Sequence, residues 1–521
     1  MKTNRFITLA TTAITDNAQV VSLPLLLAVF PTIYLFQHNQ TDLPLRVLWS
    51  PLAISAAIGA ALFAISWIIF KPALKASLLA SLLVVAIFYY GFLYDVVSEW
   101  GLNDILVIGF WVILLAFGIV GLLRANNLSL LSQALLVTAT FLVLVSVFQI
   151  GLYRIQNPPV SVSDPRLWSA PLEKPINSGS EPLPDIYYIV PDDYARTDVL
   201  KEHLGYDNSQ FIRELEKRGF VIPEQGRSPY SNSISNMASA LNLDYLNHFA
   251  DVLGEESQNT LMVTQVLEDN RASHFLEDLG YQYIHIGSDH TTYPGQNPTI
   301  SPIDAPDSMS YEWLRASILR AFGGEFGFND PASDERFRQS VFLAFDRLKA
   351  TPEIPGPKFV FFHTLIPHDP FVFGAQGEKV TFLDPTGTRH DTQDGIPFYV
   401  AQLQFSSQLL LESIDEILAN SKTPPIIILQ ADEGHEVSEE AFGIEIKQDI
   451  RVKGISAFYI PGKDLSSLPQ NLNIVNTFRY LFDLHFGTHF GMLENASYRD
   501  SDFLFQPVEL HVIGDPDPTS P

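Results

Sequence analysis

Five apolar stretches, at roughly 18–36, 47–70, 74–97, 103–123 and 128–153, constrain this chain before anything else does. Each is close to the ~20 residues that a helix needs to cross the hydrocarbon of a bilayer. The breaks collect the polar residues: His38–Asp42, Lys71–Lys75, Ser98–Asp104 and Arg124–Asn127. No acid or base falls in the middle of a stretch, so a transport path is not indicated. The first stretch has a long polar lead and no small-residue cleavage site after it, and is expected to stay in place as a helix.

Basic residues orient the set. Lys2, Arg5, Lys71, Lys75 and Arg124 fall on one side; Asp42, Arg46, Asp95, Glu99 and Asp104 fall on the other. Positive charge is retained in the cytoplasm, which puts the N-terminus inside. Five crossings then carry everything after residue 154 outside the cell (inner) membrane, whereas an even number would keep it inside. Residues 155–184 hold seven prolines among Ser, Asn and Gly and are expected to be an extended linker. The expected division is thus a transmembrane domain over 1–154, a linker over 155–184 and a water-soluble domain over 185–521.

Charge divides along the same line. Residues 1–154 carry seven of the 32 Lys and Arg and five of the 58 Asp and Glu, so the remainder stands at −28. A domain that acidic repels nucleic acid and attracts cations. There are no cysteines, which removes disulfides, thiolate metal sites and a Cys nucleophile.

From Pro184 onward, strand-like runs rich in Ile, Val, Phe and Tyr alternate with amphipathic helical stretches. The strands are expected at 185–190, 283–287, 358–363, 425–430 and 455–460. The helices are expected at 210–218, 271–279, 336–348, 401–419 and 475–484. That alternation predicts an α/β domain with a largely parallel sheet covered by helices on both faces. In such sheets the working residues sit just past the carboxyl ends of the strands.

Three strand ends carry chemistry. The first ends in Asp192-Asp193, the second contains His363 and His368, and the third reads Asp432-Glu433-Gly434-His435. Adjacent acids after a buried strand are costly unless they are paired or bound to a cation. Taken singly, each is also what a strand-end acid capping the next turn looks like. A fourth element, from Ser228 to Leu243, leads into a helix with Ser231 or Ser233 at its start. There the free backbone N–H groups and the positive end of the helix dipole make an anion site, although a serine at that place is commonly just a cap.

These four elements, in this order, resemble the alkaline phosphatase/sulfatase superfamily. They are more closely similar to its membrane-anchored branch, which includes lipoteichoic acid synthases and phosphoethanolamine transferases. The resemblance covers roughly residues 184–490. It implies Ser233 as the nucleophile, at a position usually held by Thr. It implies metal ligands at Asp192, with Asp193, and at Asp432, and a site-facing segment at His363 and His368. Glu433 stands where the family usually has His. The implied ligand set of Asp192, Asp432, Glu433 and the Ser233 oxygen is all oxygen, which favours Mg²⁺, Mn²⁺ or Ca²⁺ over Zn²⁺. A second metal centre is not evident. Sulfatases of this superfamily modify a Cys or Ser within a Cys/Ser-x-Pro-x-Arg motif that is absent here.

The expected function is therefore a membrane-anchored enzyme that transfers or hydrolyses a phosphoryl-type group on an envelope lipid or polymer, with Ser233 attacking and His368 protonating the leaving oxygen. A sulfatase and a catalytically degenerate binding domain are the alternatives. The bilayer and a phospholipid or envelope polymer are the expected partners; nucleic acid is not.

Overall fold

The structure, a computed structural model, describes residues 2–98, 104–158, 160–174, 183–287, 299–300, 308–322, 331–380, 393–499, 501, 503–510 and 512. Residues 175–182 of the expected linker fall outside the described residues. The chain forms two compact units. One comprises Met1–Pro159 with Ala305–Ser333; the other comprises Val160–Asp304 with Asp334–Pro521.

The first unit is built from helices α1 (Lys2–His38), α2 (Trp49–Ile69), α3 (Ala73–Phe88), α4 (Tyr90–Ser98), α5 (Asp104–Arg124) and α6 (Ser129–Gln156). Among the described residues, four segments are long and apolar enough to cross a membrane: Val20–His38, Leu45–Ile69, Leu106–Arg124 and Ser129–Gln156. The pair Ala73–Phe88 and Tyr90–Val97, bent by 50°, makes five if counted as one span. The burial pattern is the reverse of a water-soluble bundle. Ile68, Phe117, Leu130, Phe148 and Ile155 point outward, while Ser55, Ser66, Ser132 and Ser146 are buried. Small and hydroxylated residues between helices let the backbones approach, as lipid-embedded bundles require. A Cβ on Gly59 would sit 2.9 Å from Ala28 Cβ, and the hydroxyls of Thr32 and Ser55 meet at 2.8 Å.

One piece of this unit comes from far along the chain. The helix Ser308–Ala316 and the short turn Ile318–Phe322 pack within it. Trp313 Nε1 donates to Ser55 Oγ at 2.9 Å, and Arg320 pairs with Asp95 at 2.6 Å while lying over the Tyr94 ring.

The second unit is organised by a sheet of strands β1 (Ile186–Pro191), β2 (Gln282–Ile286), β3 (Thr299–Ile300), β4 (Lys358–Thr364), β5 (Ile426–Gln430) and β6 (Ser456–Tyr459). Their order is β3-β2-β4-β1-β5-β6, all parallel except the β5–β6 pair. The expected strands and helices are present within a few residues of their expected bounds, apart from the helix expected at 336–348, which runs Pro331–Ala350, and that expected at 401–419, which runs Ile396–Asn420. Alternation along the strands sends side chains to two cores. Tyr187, Ile189, Val360, Phe362, Ile427 and Leu429 enter one; Ile186, Tyr188, Val190, Phe359, Phe361, Ile426 and Ile428 enter the other. The described part of the Pro-rich stretch is not free of the domain: Leu167 is fully buried in the second core and Trp168 packs edge-on against Phe249.

At the amino ends of β1 and β4, Asp185 and Lys358 form a buried pair at 2.5 Å. The opposite, carboxyl ends carry the residues with chemistry.

Candidate active site

Register decides which side chains converge. Val190 lies opposite His363, and Ile189 opposite Leu429. Continued past the strand ends, that register sets Asp192 against Asp432. Asp192, His363 and Asp432 share the parity of Val190, Phe361 and Ile428, so all three turn toward the second core. The helix Ser233–Asn242 packs there through Met237, Ala238 and Leu241. Two-residue alternation thus delivers three ionisable groups from three strands to one helix N-terminus.

The cap of that helix is Asn232, whose side chain accepts from Ser235 N at 2.9 Å. Ser233 is therefore the first helical residue and its hydroxyl is not spent on capping. Ser233 Oγ lies 2.7 Å from Glu433 Oε1 and 3.4 Å from Asp192 Oδ1, so its single proton is donated to Glu433. Ser231 Oγ is buried without a hydrogen bond among the described residues, and Ser235 is buried within the helix.

The carboxylates divide into two lobes that share Asp192. One group is Asp192, His363 and Asp432; the other is Asp192, Asp193 and Glu433. The atoms offered within each group all lie within 4.8 Å of one another, and every one of these residues is buried. In the first lobe, His363 Nε2 is 3.6 Å from Asp192 Oδ2 and 3.7 Å from Asp432 Oδ2. Direct hydrogen bonds would be nearer ~2.8 Å, whereas donors at ~2.1 Å from one cation sit roughly 3.0–3.5 Å apart. Asp432 Oδ2 makes no hydrogen bond although the residue is 0 % exposed. A buried carboxylate oxygen in that state is free to accept from a cation. These residues fit a divalent cation. Burial pulls His363 down, but Asp192 and Asp432 outweigh it and hold the imidazole up at about 9; a cation at this place would take over the charge that the proton supplies.

The second lobe already holds a cation. Arg451 donates to Asp193 Oδ1 through one guanidinium nitrogen and to Glu433 Oε1 through the other, each at 2.7 Å. Its Nε donates to the Ser231 carbonyl at 3.2 Å. Asp193 Oδ2 meets His435 Nδ1 at 2.8 Å. Burial would raise Asp193; His435 and Arg451 prevail and hold it at about 2. Those contacts also hold Asp193 in the left-handed region at φ 67°, which Asp tolerates better than most residues. Glu433 is pushed well above the usual carboxylate range by burial and by the neighbouring acids, with Arg451 opposing. Its Oε2 makes no hydrogen bond.

His368 sits on the loop after β4. Its Nδ1 is 2.7 Å from the Asp369 carbonyl and 2.8 Å from Asp369 Oδ1. Burial lowers its pKa, but Asp369, Asp192 and Asp193 raise it well above the ordinary value. The buried Gln402 fixes this loop: Nε2 donates to the His368 carbonyl at 2.7 Å, and Oε1 accepts from Val372 N and Phe373 N.

All seven expected site residues lie at these connected strand and helix ends. Four residues with structural claims on the site went unread in the sequence: Arg451, Gln402, Tyr399 and Asn232. Tyr399 donates to the Asp193 carbonyl at 2.8 Å and stacks on His435 with ring centres 3.6 Å apart. Only Asn232 had a local signal, as an Asn standing three residues before a buried helical position.

No family model and no curated protein matches the chain. Solved structures do resemble it, among them phosphoethanolamine transferases and a putative sulfatase. The C-terminal periplasmic domain of EcEptC from Escherichia coli, in complex with Zn, is 12% identical over 65% of this chain and 97% of its own, with a TM-score of 0.42. The integral membrane protein lipooligosaccharide phosphoethanolamine transferase A from Neisseria meningitidis is 11% identical over 89% of this chain and 96% of its own, with a TM-score of 0.34. The putative sulfatase yidJ from Bacteroides fragilis is 13% identical over 60% and 76%, with a TM-score of 0.37. Likenesses at these scores carry no weight for the reaction, which has to be argued from the site itself.

Proposed function

We propose that this protein is a membrane-anchored enzyme that moves a phosphoryl-type group from an envelope lipid or polymer, through Ser233, to an acceptor hydroxyl or to water. The observation that carries the reading is the Ser233 hydroxyl. It stands at a helix N-terminus, 2.7 Å from a buried carboxylate, beside a lobe of Asp192, His363 and Asp432.

The residues supply a balanced sequence. Ser233 Oγ attacks phosphorus while its proton passes to Glu433 Oε1. The bond from phosphorus to the leaving oxygen breaks, and His368 delivers the proton that this oxygen takes up. The acceptor then attacks the phosphoserine, its proton returning to His368 as Ser233 recovers its own from Glu433. The helix N-terminus offers backbone N–H groups to the phosphoryl oxygens. A divalent cation, when held by Asp192, His363 and Asp432, would supply positive charge against the charge developing on the transferred group. With one nitrogen among the donors, Mn²⁺ suits this set as well as Mg²⁺ does.

The expected side is extracytoplasmic, on the distribution of Lys and Arg. The test is to expose the full-length protein to an activated phosphodiester, quench in acid and locate the adduct by mass spectrometry. A phosphoester on Ser233 is expected. An adduct on another serine, or full turnover by Ser233→Ala, removes this mechanism. Faster turnover of sulfate than of phosphate esters would move the protein to the sulfatase reading.

A further inference from the structure

The two lobes around Asp192, one with two carboxylates and a histidine and the other with three carboxylates, differ in what they already contain. In the Asp193–Glu433 lobe, a guanidinium spans both carboxylates at 2.7 Å each, and His435 takes the remaining oxygen of Asp193. Arg451 is brought there by backbone packing. Gly434 N donates to the Arg451 carbonyl at 2.7 Å, and any Cβ at Gly434 would overlap the Ile450 carbonyl. In the other lobe, Asp192 and Asp432 pair with no Lys or Arg among the described residues, and Asp432 Oδ2 is buried without a hydrogen bond.

We propose that Arg451 is a built-in counter-cation that fills the Asp193–Glu433 lobe, so that the protein carries a single divalent ion, in the Asp192–His363–Asp432 lobe. This rests on the metal-assisted reading above. The reason is electrostatic. A divalent ion beside Glu433 would face a fixed guanidinium a few ångströms away at low dielectric, and the two charges would repel strongly. Arg is suited to the task because its planar fork serves two carboxylates at once and does not lose its proton. The acid-rich site is thereby neutralised by one fixed and one exchangeable charge. Ser233 lies at the boundary, touching Glu433 on the fixed side and Asp192 on the exchangeable side.

Ion stoichiometry tests this without any measurement of turnover. Full-length protein in detergent is stripped with chelator, reloaded with Mn²⁺, desalted and assayed by elemental analysis and electron paramagnetic resonance. The wild type should hold one ion with an uncoupled spectrum. Arg451→Met should hold two, with a coupled signal. Arg451→Lys, which keeps a positive charge, should stay at one. His363→Gln should weaken retention at least tenfold. Two ions in the wild type, or one in folded Arg451→Met, overturns the assignment of Arg451. If Arg451→Met does not fold, Arg451→Lys and His363→Gln still decide: two ions in Arg451→Lys, or undiminished retention by His363→Gln, overturns it equally. A wild type that retains no ion overturns the metal-assisted reading as well, which distinguishes the two failures.

Discussion

Ser233 and Glu433 are 200 residues apart in sequence, yet the hydroxyl of one donates to the carboxylate of the other across 2.7 Å. The same carboxylate oxygen receives Arg451 at 2.7 Å. The hydroxyl is thus aimed by a group that is itself aimed, and neither can turn without breaking a buried charged contact.

Replacing Ser233 with Ala should leave the fold intact, because Asn232 holds the cap. Turnover should fall on the order of a thousandfold or more, as when a nucleophile is removed. Asn232→Ala should do the reverse: it should cost about 1 kcal/mol of stability and leave the Ser233 adduct detectable. Mass spectrometry and thermal melts check the pair.

His368→Ala should lower turnover by roughly 10²–10⁴-fold with ion content unchanged. Gln402→Ala should act through the same loop. It strips partners from Val372 N, Phe373 N and the His368 carbonyl, so it should lose about 1–3 kcal/mol of stability and a smaller share of turnover. Equal turnover in His368→Ala and wild type would reduce His368 to a packing residue.

Asp432→Asn should lose the ion while the protein stays folded. The amide oxygen can still accept from Glu433 N and Asp193 N, as Oδ1 does now. The charge facing His363 is gone. Elemental analysis beside circular dichroism separates the two effects.

The strand-end acids were legible in sequence because Asp192 and Asp432 each follow a run that only a buried strand explains. Helix periodicity sets Ser235 apart from Ser233, the free N–H groups at the helix start favour Ser233 over Ser231, and the family register selects the same residue. Arg451 was not legible. It ends an amphipathic helix, Ile444–Arg451, whose sequence reads as surface; its place depends on the close approach of Gly434 to that turn, a tertiary contact with no local pattern. Gln402 was hidden likewise, as one polar residue in the long helix Ile396–Asn420. The segment that returns to the first unit, with Trp313 and Arg320, has an ordinary amphipathic composition that does not announce its destination.

At the other end of the sheet, Lys358→Met should destabilise the second unit by about 3–5 kcal/mol, because it leaves Asp185 buried without its lysine. Chemical denaturation measures this. Turnover per folded molecule should be unchanged, since the pair lies at the amino ends of β1 and β4, away from the site.

Acid should weaken the fold partly through His285. Burial, with His363 adding to it, pushes His285 down to about 3, so it is neutral in the fold and protonated in the unfolded chain below about 6.5. The unfolded state binds the extra proton, so stability falls as pH drops from about 6.5 toward 3, by up to ~1.4 kcal/mol per pH unit. His285→Phe, which keeps a ring against Phe361, should show a shallower loss between pH 7 and 5 in denaturant titrations. An identical slope would mean that His285 is not the group responsible.

The chain passes between its two units three times: after Pro159, after Asp304 and after Ser333. A protease that nicks the Pro-rich stretch once would therefore fail to shed the second unit, which would stay tethered through the segment carrying Trp313 and Arg320. Truncating the protein at that stretch would pull the same segment out of its seat on Ser55 and Asp95. Release would need two further cuts, one on each side of that segment, so a single nick cannot part this unit from the apolar helices of the first.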